Sequence, residues 1–155
     1  MLRLLAAWRE AGRTVIHVRH VSKEPTSTFR PGQPGVEFKP GFVPLAVETI
    51  VEKSVPTAFI GTSLEALLRA RGADPLVIVG VITNNSVEAT ARVSGNLGFN
   101  TIVVSDGTFT FGKADFAGTF RSAKEVHSMS LANLNGEYAT VLSANTVLAA
   151  IKAGS

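Results

Sequence analysis

The chain has 155 residues, of which 45% are hydrophobic and 17% charged, so it can bury a sizeable core, and this composition argues against global disorder. Cysteine is absent, which excludes disulfides, thiolate metal sites and a cysteine nucleophile, and suits a cytoplasmic protein. The net charge is +3 and the basic residues are scattered along the chain, which argues against nucleic-acid binding. The sequence has neither the pattern of a signal peptide at its start nor an apolar run long enough to span a membrane.

The first predicted elements are a helix, a strand and a long loop. Leu4, Leu5 and Trp8 recur at helical spacing before Gly12, and the β-branched segment 14–20 predicts a strand. The following loop, residues 21–45, holds five of the seven prolines and several apolar residues. So long a loop is often functional, and we expect it to be ordered. Doubly wound folds usually open with a strand, so we expect an element in front of the opening helix.

Strands and helices alternate in the rest of the chain. Thr62 and Glu65 have the spacing of a capping box, which predicts a helix that begins there and ends at Gly72. Two continuous apolar runs predict adjacent parallel strands that are buried on both faces. The predicted strands are 49–53, 76–81, 101–106 and 137–142, and the later helices are 84–97, 122–134 and 145–152. This order predicts a three-layer α/β/α sandwich with a mostly parallel sheet, in one domain over 1–155, with its site at the carboxyl ends of the strands.

Two residues, one at the end of a strand and one in the first turn of a helix, are candidates for chemistry. Lys53 ends the strand 49–53, where a lysine either reaches solvent or lies in a pocket that tunes its pKa. Ser86 falls in the first turn of the helix after 76–81, where unpaired N–H groups and the positive end of the helix dipole offer an oxyanion or anion site. The alternative is that Thr83, Asn84 or Asn85 simply caps this helix, and both interpretations can hold together.

Metal and nucleotide chemistry have little support in the sequence. His20 lies at a strand end, but no second histidine or carboxylate stands near it at matched spacing, while the pattern places His17 in the core and His127 in mid-helix. The chain contains neither GxGxxG nor GxxxxGK[ST]. We therefore expect no metal and no cofactor, and we interpret the phenylalanines between 109 and 120 as core or interface residues.

The turn Gly80-x-x-Thr83 followed by Ala89-Thr-Ala-Arg92 is the most specific part of a pattern that resembles the isochorismatase-like hydrolases, also called the cysteine hydrolase superfamily. The resemblance covers nearly the whole chain. It includes Lys53, Thr57-Ala58-Phe59, Gly95-Asn-Leu-Gly-Phe99, Val103-Val-Ser-Asp106, the loop from Phe29 to Gly35 and the tail from His127 to Ala139. It implies a three-layer α/β protein that hydrolyses C–N bonds in small amides, or the vinyl ether of isochorismate.

The same resemblance implies a set of site residues. The usual triad of the family is Asp, Lys and Cys, of which the Lys matches Lys53 and the Cys matches Ser86. The oxyanion hole corresponds to the N–H groups of Ile82 and Ser86, and a cis peptide bond corresponds to Val81–Ile82. The first strand of the family and its Asp precede the opening helix, so either the sequence is short at its N-terminus or the protein lacks that strand.

Two functions remain open at this point. The chain is either a hydrolase of a small-molecule substrate, with Ser86 as nucleophile and Lys53 as the proton-transfer group, or a catalytically silent protein that binds a small carboxylate or phosphate at the same two residues. In both cases a sheet that lacks its first strand exposes an edge, and the aromatic segment 109–120 adds apolar surface. We therefore expect a homo-oligomer.

Overall fold

The structure, a computed structural model, describes residues 1–154 and has the three-layer α/β/α architecture that the sequence predicts. No helix in this range is both long and apolar enough to cross a membrane. The helices are α1 (Leu2–Glu10), α2 (Leu64–Ala70), α3 (Glu88–Asn96), α4 (Ala123–Leu134) and α5 (Ala144–Lys152). The strands are β1 (Ile16–His20), β2 (Thr49–Lys53), β3 (Leu76–Val81), β4 (Thr101–Phe109), β5 (Lys113–Ala114), β6 (Phe120–Arg121) and β7 (Thr140–Leu142).

The larger strands form two parallel groups. β1 pairs with β2, and β3, β4 and β7 form a three-stranded sheet in which β4 is central. β5 and β6 make a small antiparallel pair. The prediction that β3 and β4 are adjacent and parallel is confirmed, since Leu76 stands opposite Thr101. Within residues 1–154 no backbone pairing joins β1 or β2 to β3.

The prediction that β3 is buried on both faces is wrong for its second half. Val79 and Val81 are 40% and 46% exposed, although they belong to a continuous apolar run. The reason is that β3 is the edge strand of its sheet, so on its other flank no neighbouring strand shields these side chains. In contrast, Val103 and Val104 of the central strand β4 are completely buried.

Alternation along the strands divides the core between two faces of the sheet. Val104 packs with Leu4 of α1 and Val147 of α5 on one face. Val103, its neighbour in sequence, packs with residues of α3 and α4 on the opposite face, including the completely buried Leu134. Successive side chains of a strand point to opposite faces, so one apolar strand holds both helical layers in place.

A third core cluster joins the two groups of strands. Val51 of β2 packs with Leu64 and Leu68 of α2, and the cluster extends to Leu76 at the start of β3. The two groups are therefore connected through side chains on one face although their backbones are not paired. This arrangement brings the carboxyl ends of β2 and β3 to the same side of the molecule.

Two local predictions require correction. Thr62 does not form a capping box, because α2 begins at Leu64 and the Thr62 hydroxyl instead accepts from the Leu64 N–H at 3.2 Å and donates to the Ala58 carbonyl at 2.6 Å. A capping box is present at the start of α4, where Ser122 and Glu125 bond reciprocally. Of the two interpretations of the phenylalanines between 109 and 120, the core is wrong, because Phe109, Phe111, Phe116 and Phe120 are all exposed, and an interface stays a prediction.

Candidate active site

Lys53, the last residue of β2, is buried and points away from bulk solvent. Only 7% of its surface is exposed. Its Nζ donates to the Val55 carbonyl at 3.0 Å and to the Ser86 hydroxyl at 3.2 Å. Burial lowers the pKa of this amine below its ordinary value, because the charged form is poorly solvated there. Of the two interpretations of Lys53, the pocket lysine is therefore the one observed.

Ser86 lies on a tight turn between β3 and α3. The peptide bond between Val81 and Ile82 is cis, and Thr83–Val87 then form one π-helical turn before α3 begins. Within this turn the N–H groups of Asn85 and Val87 both donate to the Ile82 carbonyl, at 3.2 and 3.3 Å. The turn places the half-buried Ser86 hydroxyl opposite the Lys53 amine.

Side chains from α4 and from the segment after β4 brace this turn. Thr83 is completely buried, and its Oγ1 lies 2.8 Å from Nδ1 of His127 in α4. The Thr110 hydroxyl donates to the side-chain oxygen of Asn84. None of Thr83, Asn84 and Asn85 caps the helix, since no side-chain cap hydrogen bond is present at the start of the π turn or of α3. The role of His127 was missed from the sequence, because Thr83 stands 44 residues away and no local pattern links the two.

His20 and a cavity both border Lys53. His20, at the end of β1, stands opposite Lys53 in the parallel register. Burial, together with the positive charge of Lys53, lowers the pKa of this histidine. Lys53 also lines a cavity of about 670 Å³, with Lys23, Glu24 and Arg30 of the long loop on its wall. The cavity therefore borders Lys53 on the side of the long loop, while Ser86 is not among its lining residues.

The set of groups suits acid–base and nucleophilic chemistry. An amine with a lowered pKa lies within hydrogen-bond reach of a hydroxyl, so it can accept the hydroxyl proton once it is neutral. Among residues 1–154 no group of three or more His, Asp or Glu side chains is placed to hold a metal ion. No acidic side chain in this range forms an ion pair with Lys53.

The chain is similar in sequence and in structure to known proteins. Residues 1–146 match the protein family described as the isochorismatase domain. The uncharacterized isochorismatase family protein YrdC of Bacillus subtilis is 40% identical over 146 residues, which are 94% of this chain and 78% of YrdC. A crystal structure of an isochorismatase-family protein from Chromobacterium violaceum has a TM-score of 0.95 and 56% identity, over 98% of this chain and 79% of that one. Maleamate amidohydrolase of Pseudomonas putida is 33% identical over 117 residues, 66% of this chain and 55% of that enzyme.

Proposed function

Because this chain belongs to the isochorismatase family, we propose that it is a hydrolase of a small amide or a related C–N or C–O bond. The single observation that carries the proposal is the 3.2 Å distance between the Lys53 amine and the Ser86 hydroxyl in a buried setting. The relative named maleamate amidohydrolase supports the choice of an amide substrate.

The first half of the proposed reaction transfers the acyl group to Ser86. Neutral Lys53 takes the hydroxyl proton, and the Ser86 oxygen attacks the carbonyl carbon of the amide. The oxyanion that forms is held by the N–H groups of Ile82 and Ser86, next to the cis peptide bond Val81–Ile82. The protonated lysine then gives its proton to the leaving nitrogen. The C–N bond breaks, and an amine or ammonia departs from the acyl-enzyme.

The second half of the reaction regenerates the serine. Lys53, neutral again, takes a proton from a water molecule that attacks the acyl-Ser86 ester. Collapse of the second tetrahedral intermediate breaks the ester bond, and the Ser86 oxygen recovers a proton from Lys53. The products are a carboxylic acid and an amine or ammonia, so atoms and charges balance without a cofactor.

Exchange of the nucleophile tests this proposal. We expect Ser86→Ala to abolish turnover on a panel of small amides, because no other hydroxyl faces Lys53 in the described hydrogen bonds. We expect Ser86→Cys to raise turnover by about tenfold, since a thiol near a lysine and a helix N-terminus ionises more readily than a hydroxyl. Turnover in Ser86→Ala equal to that of the parent removes Ser86 as the nucleophile.

The alternative function is a silent pocket that binds a small anion. The observation that favours it is that Lys53 has no carboxylate partner among residues 1–154, so that an anionic ligand can supply the opposite charge. In that case neither the parent nor Ser86→Cys turns over any amide, while titration calorimetry detects binding of a small carboxylate that Lys53→Met removes. Turnover by the parent decides for the hydrolase.

A further inference from the structure

Helix α4 contacts both ends of the segment that carries Ser86. At the start of the segment, Thr83 meets His127 with 2.8 Å between Oγ1 and Nδ1. At its end, Glu88 accepts a hydrogen bond from the Ser130 hydroxyl at 2.5 Å. His127 and Ser130 are three residues apart, so they lie on the same face of α4. This face therefore holds the turn and the start of α3 from one side.

Of these two contacts, the one between His127 and Thr83 has the larger effect on the turn that carries Ser86. The Thr83 side chain is completely buried, and His127 is the partner that satisfies its hydroxyl. A buried hydroxyl that loses its partner is costly, so the turn would shift to satisfy it. Thr83 follows the cis peptide bond by one residue and precedes Ser86 by three, so a shift at Thr83 moves the oxyanion-hole segment and the hydroxyl together.

Ser86 itself has little else to fix it. Its side chain contacts Lys53 at 3.2 Å, the distance on which proton transfer between them depends. A displacement of about 1 Å in such a geometry can lower a rate by about a hundredfold. The position of the hydroxyl therefore depends on the residues that hold the turn as well as on its contact with Lys53.

We propose that His127 is a positioning residue, which acts through Thr83 to hold Ser86 Oγ within reach of Lys53 Nζ. It touches neither the hydroxyl nor the amine, and its kinetic consequence rests on the proposed hydrolase function. Its structural consequence, the spacing of Ser86 and Lys53, does not depend on that function. The two can therefore be tested separately.

The kinetic test compares three variants on the helix α4. His127→Leu removes the ring nitrogen, whereas His127→Asn keeps a polar atom near the position of Nδ1. Lys124→Ala is the matched control, an exposed residue one turn earlier on the same helix. We expect kcat to fall by about 10- to 100-fold in His127→Leu with little change in KM, and to recover largely in His127→Asn. Lys124→Ala should keep the parent values.

The second test does not require turnover. In a Ser86→Cys background the introduced thiol is the only one in the chain, so alkylation by iodoacetamide reports on it alone. The nearby lysine lowers the pKa of this thiol, and alkylation follows the thiolate. We expect His127→Leu to move the alkylation profile to higher pH and to slow the reaction at pH 7 several-fold. His127→Asn and Lys124→Ala should leave the profile where it was.

A double-mutant cycle decides whether His127 acts through Thr83. If it does, Thr83→Val alone shifts the alkylation profile, and adding His127→Leu shifts it no further. Additive shifts, or an unchanged profile in both single variants, overturn the proposal. If circular dichroism shows that His127→Leu does not fold, Thr83→Val takes its place, because valine keeps the shape of the threonine side chain. This variant must then shift the alkylation profile by itself. Absence of amide turnover with a shifted profile contradicts the hydrolase and leaves the positioning role intact.

Discussion

At the scale of single residues, the chemistry of this protein depends on how Lys53 is solvated. A lysine on the surface keeps its proton well above neutral pH, so it cannot serve as a base there. Lys53 is buried and its partners are two neutral oxygens, those of Val55 and Ser86. Its pKa is lowered by burial, which increases the fraction of neutral amine that can accept the Ser86 proton.

The pH dependence of hydrolysis follows from this environment. The active form contains neutral Lys53, so kcat/KM should rise with pH and level off at a pKa below the ordinary lysine value of about 10.5. In Ser86→Cys the reactive form is a thiolate next to a protonated lysine, so the ascending limb should move to lower pH. Steady-state kinetics from pH 6 to 10 measure both limbs. The same limb in both proteins contradicts the role of Lys53 as the base.

At the scale of single residues, part of the candidate site could be predicted from the sequence. Lys53 and Ser86 were placed at a strand end and in the first turn of a helix, and the family resemblance paired them. The structure adds the distance between them and the burial that changes the lysine. The contact between Thr83 and His127 had no signal in the sequence, because it joins residues of different elements that only the fold brings together.

At the scale of secondary-structure elements, one buried carboxylate links α1, β1 and the loop before β2. Glu48 accepts hydrogen bonds from Arg9 of α1 at 2.7 and 2.8 Å and from the Leu45 N–H at 2.8 Å. It also lies 2.8 Å from Nε2 of His17 in β1. The bonds from Arg9, with those from Leu45 and His17, lower the pKa of Glu48 from 4.5 to about 2. His17, predicted as a packed core residue, is therefore part of a polar cluster.

Neutralising this carboxylate should loosen the attachment of α1. The folded-state pKa of Glu48 is lower than its unfolded value, so its contribution to stability is present above about pH 4.5 and is lost as the pH falls towards 2. We expect Glu48→Gln to lower the free energy of unfolding by about 1–3 kcal/mol at pH 7, and the difference from the parent to shrink at acid pH. Urea unfolding at several pH values measures both effects.

Glu52→Gln is the matched control for this prediction. Glu52 lies four residues further along the chain and forms an ion pair with Arg19 on the surface, where its side chain is half exposed. Exposed ion pairs contribute little, so this variant should change the free energy of unfolding by less than about 1 kcal/mol. Equal losses in the two variants, or a Glu48→Gln difference that does not depend on pH, would show that the buried cluster has no special role.

At the scale of the whole molecule, the surface carries unpaired strand edges and exposed aromatic rings. Within residues 1–154 β1 and β2 pair only with each other, and β3 is an edge of the three-stranded sheet. Phe111, Phe116 and Phe120 stand out from the segment between β4 and α4. Unpaired strand edges and contiguous apolar surface both favour association with another chain.

We therefore expect this chain to form a homo-oligomer in solution. Light scattering at micromolar concentration should give a mass of at least two chains. Phe116→Ser and Phe120→Ser together should shift the assembly towards smaller species, because they remove apolar surface without touching the core. Lys152→Ser, a substitution of an exposed residue at the end of α5, serves as the control. A single monomeric species in the parent contradicts this expectation.

Local patterns in the sequence predicted the main helices and strands in chain order and their parallel arrangement, but not the short pair β5 and β6, and they marked Lys53 and Ser86 as candidates for chemistry. The sequence could do so because apolar runs and helical spacing are local patterns, and the strands of such a sheet all end at one edge. The partial exposure of β3, the burial of Lys53 beside Ser86 and the contact between Thr83 and His127 became known from the three-dimensional fold. These properties depend on which neighbours surround a residue, and burial, pKa and hydrogen-bond partners arise from contacts between residues far apart in the chain.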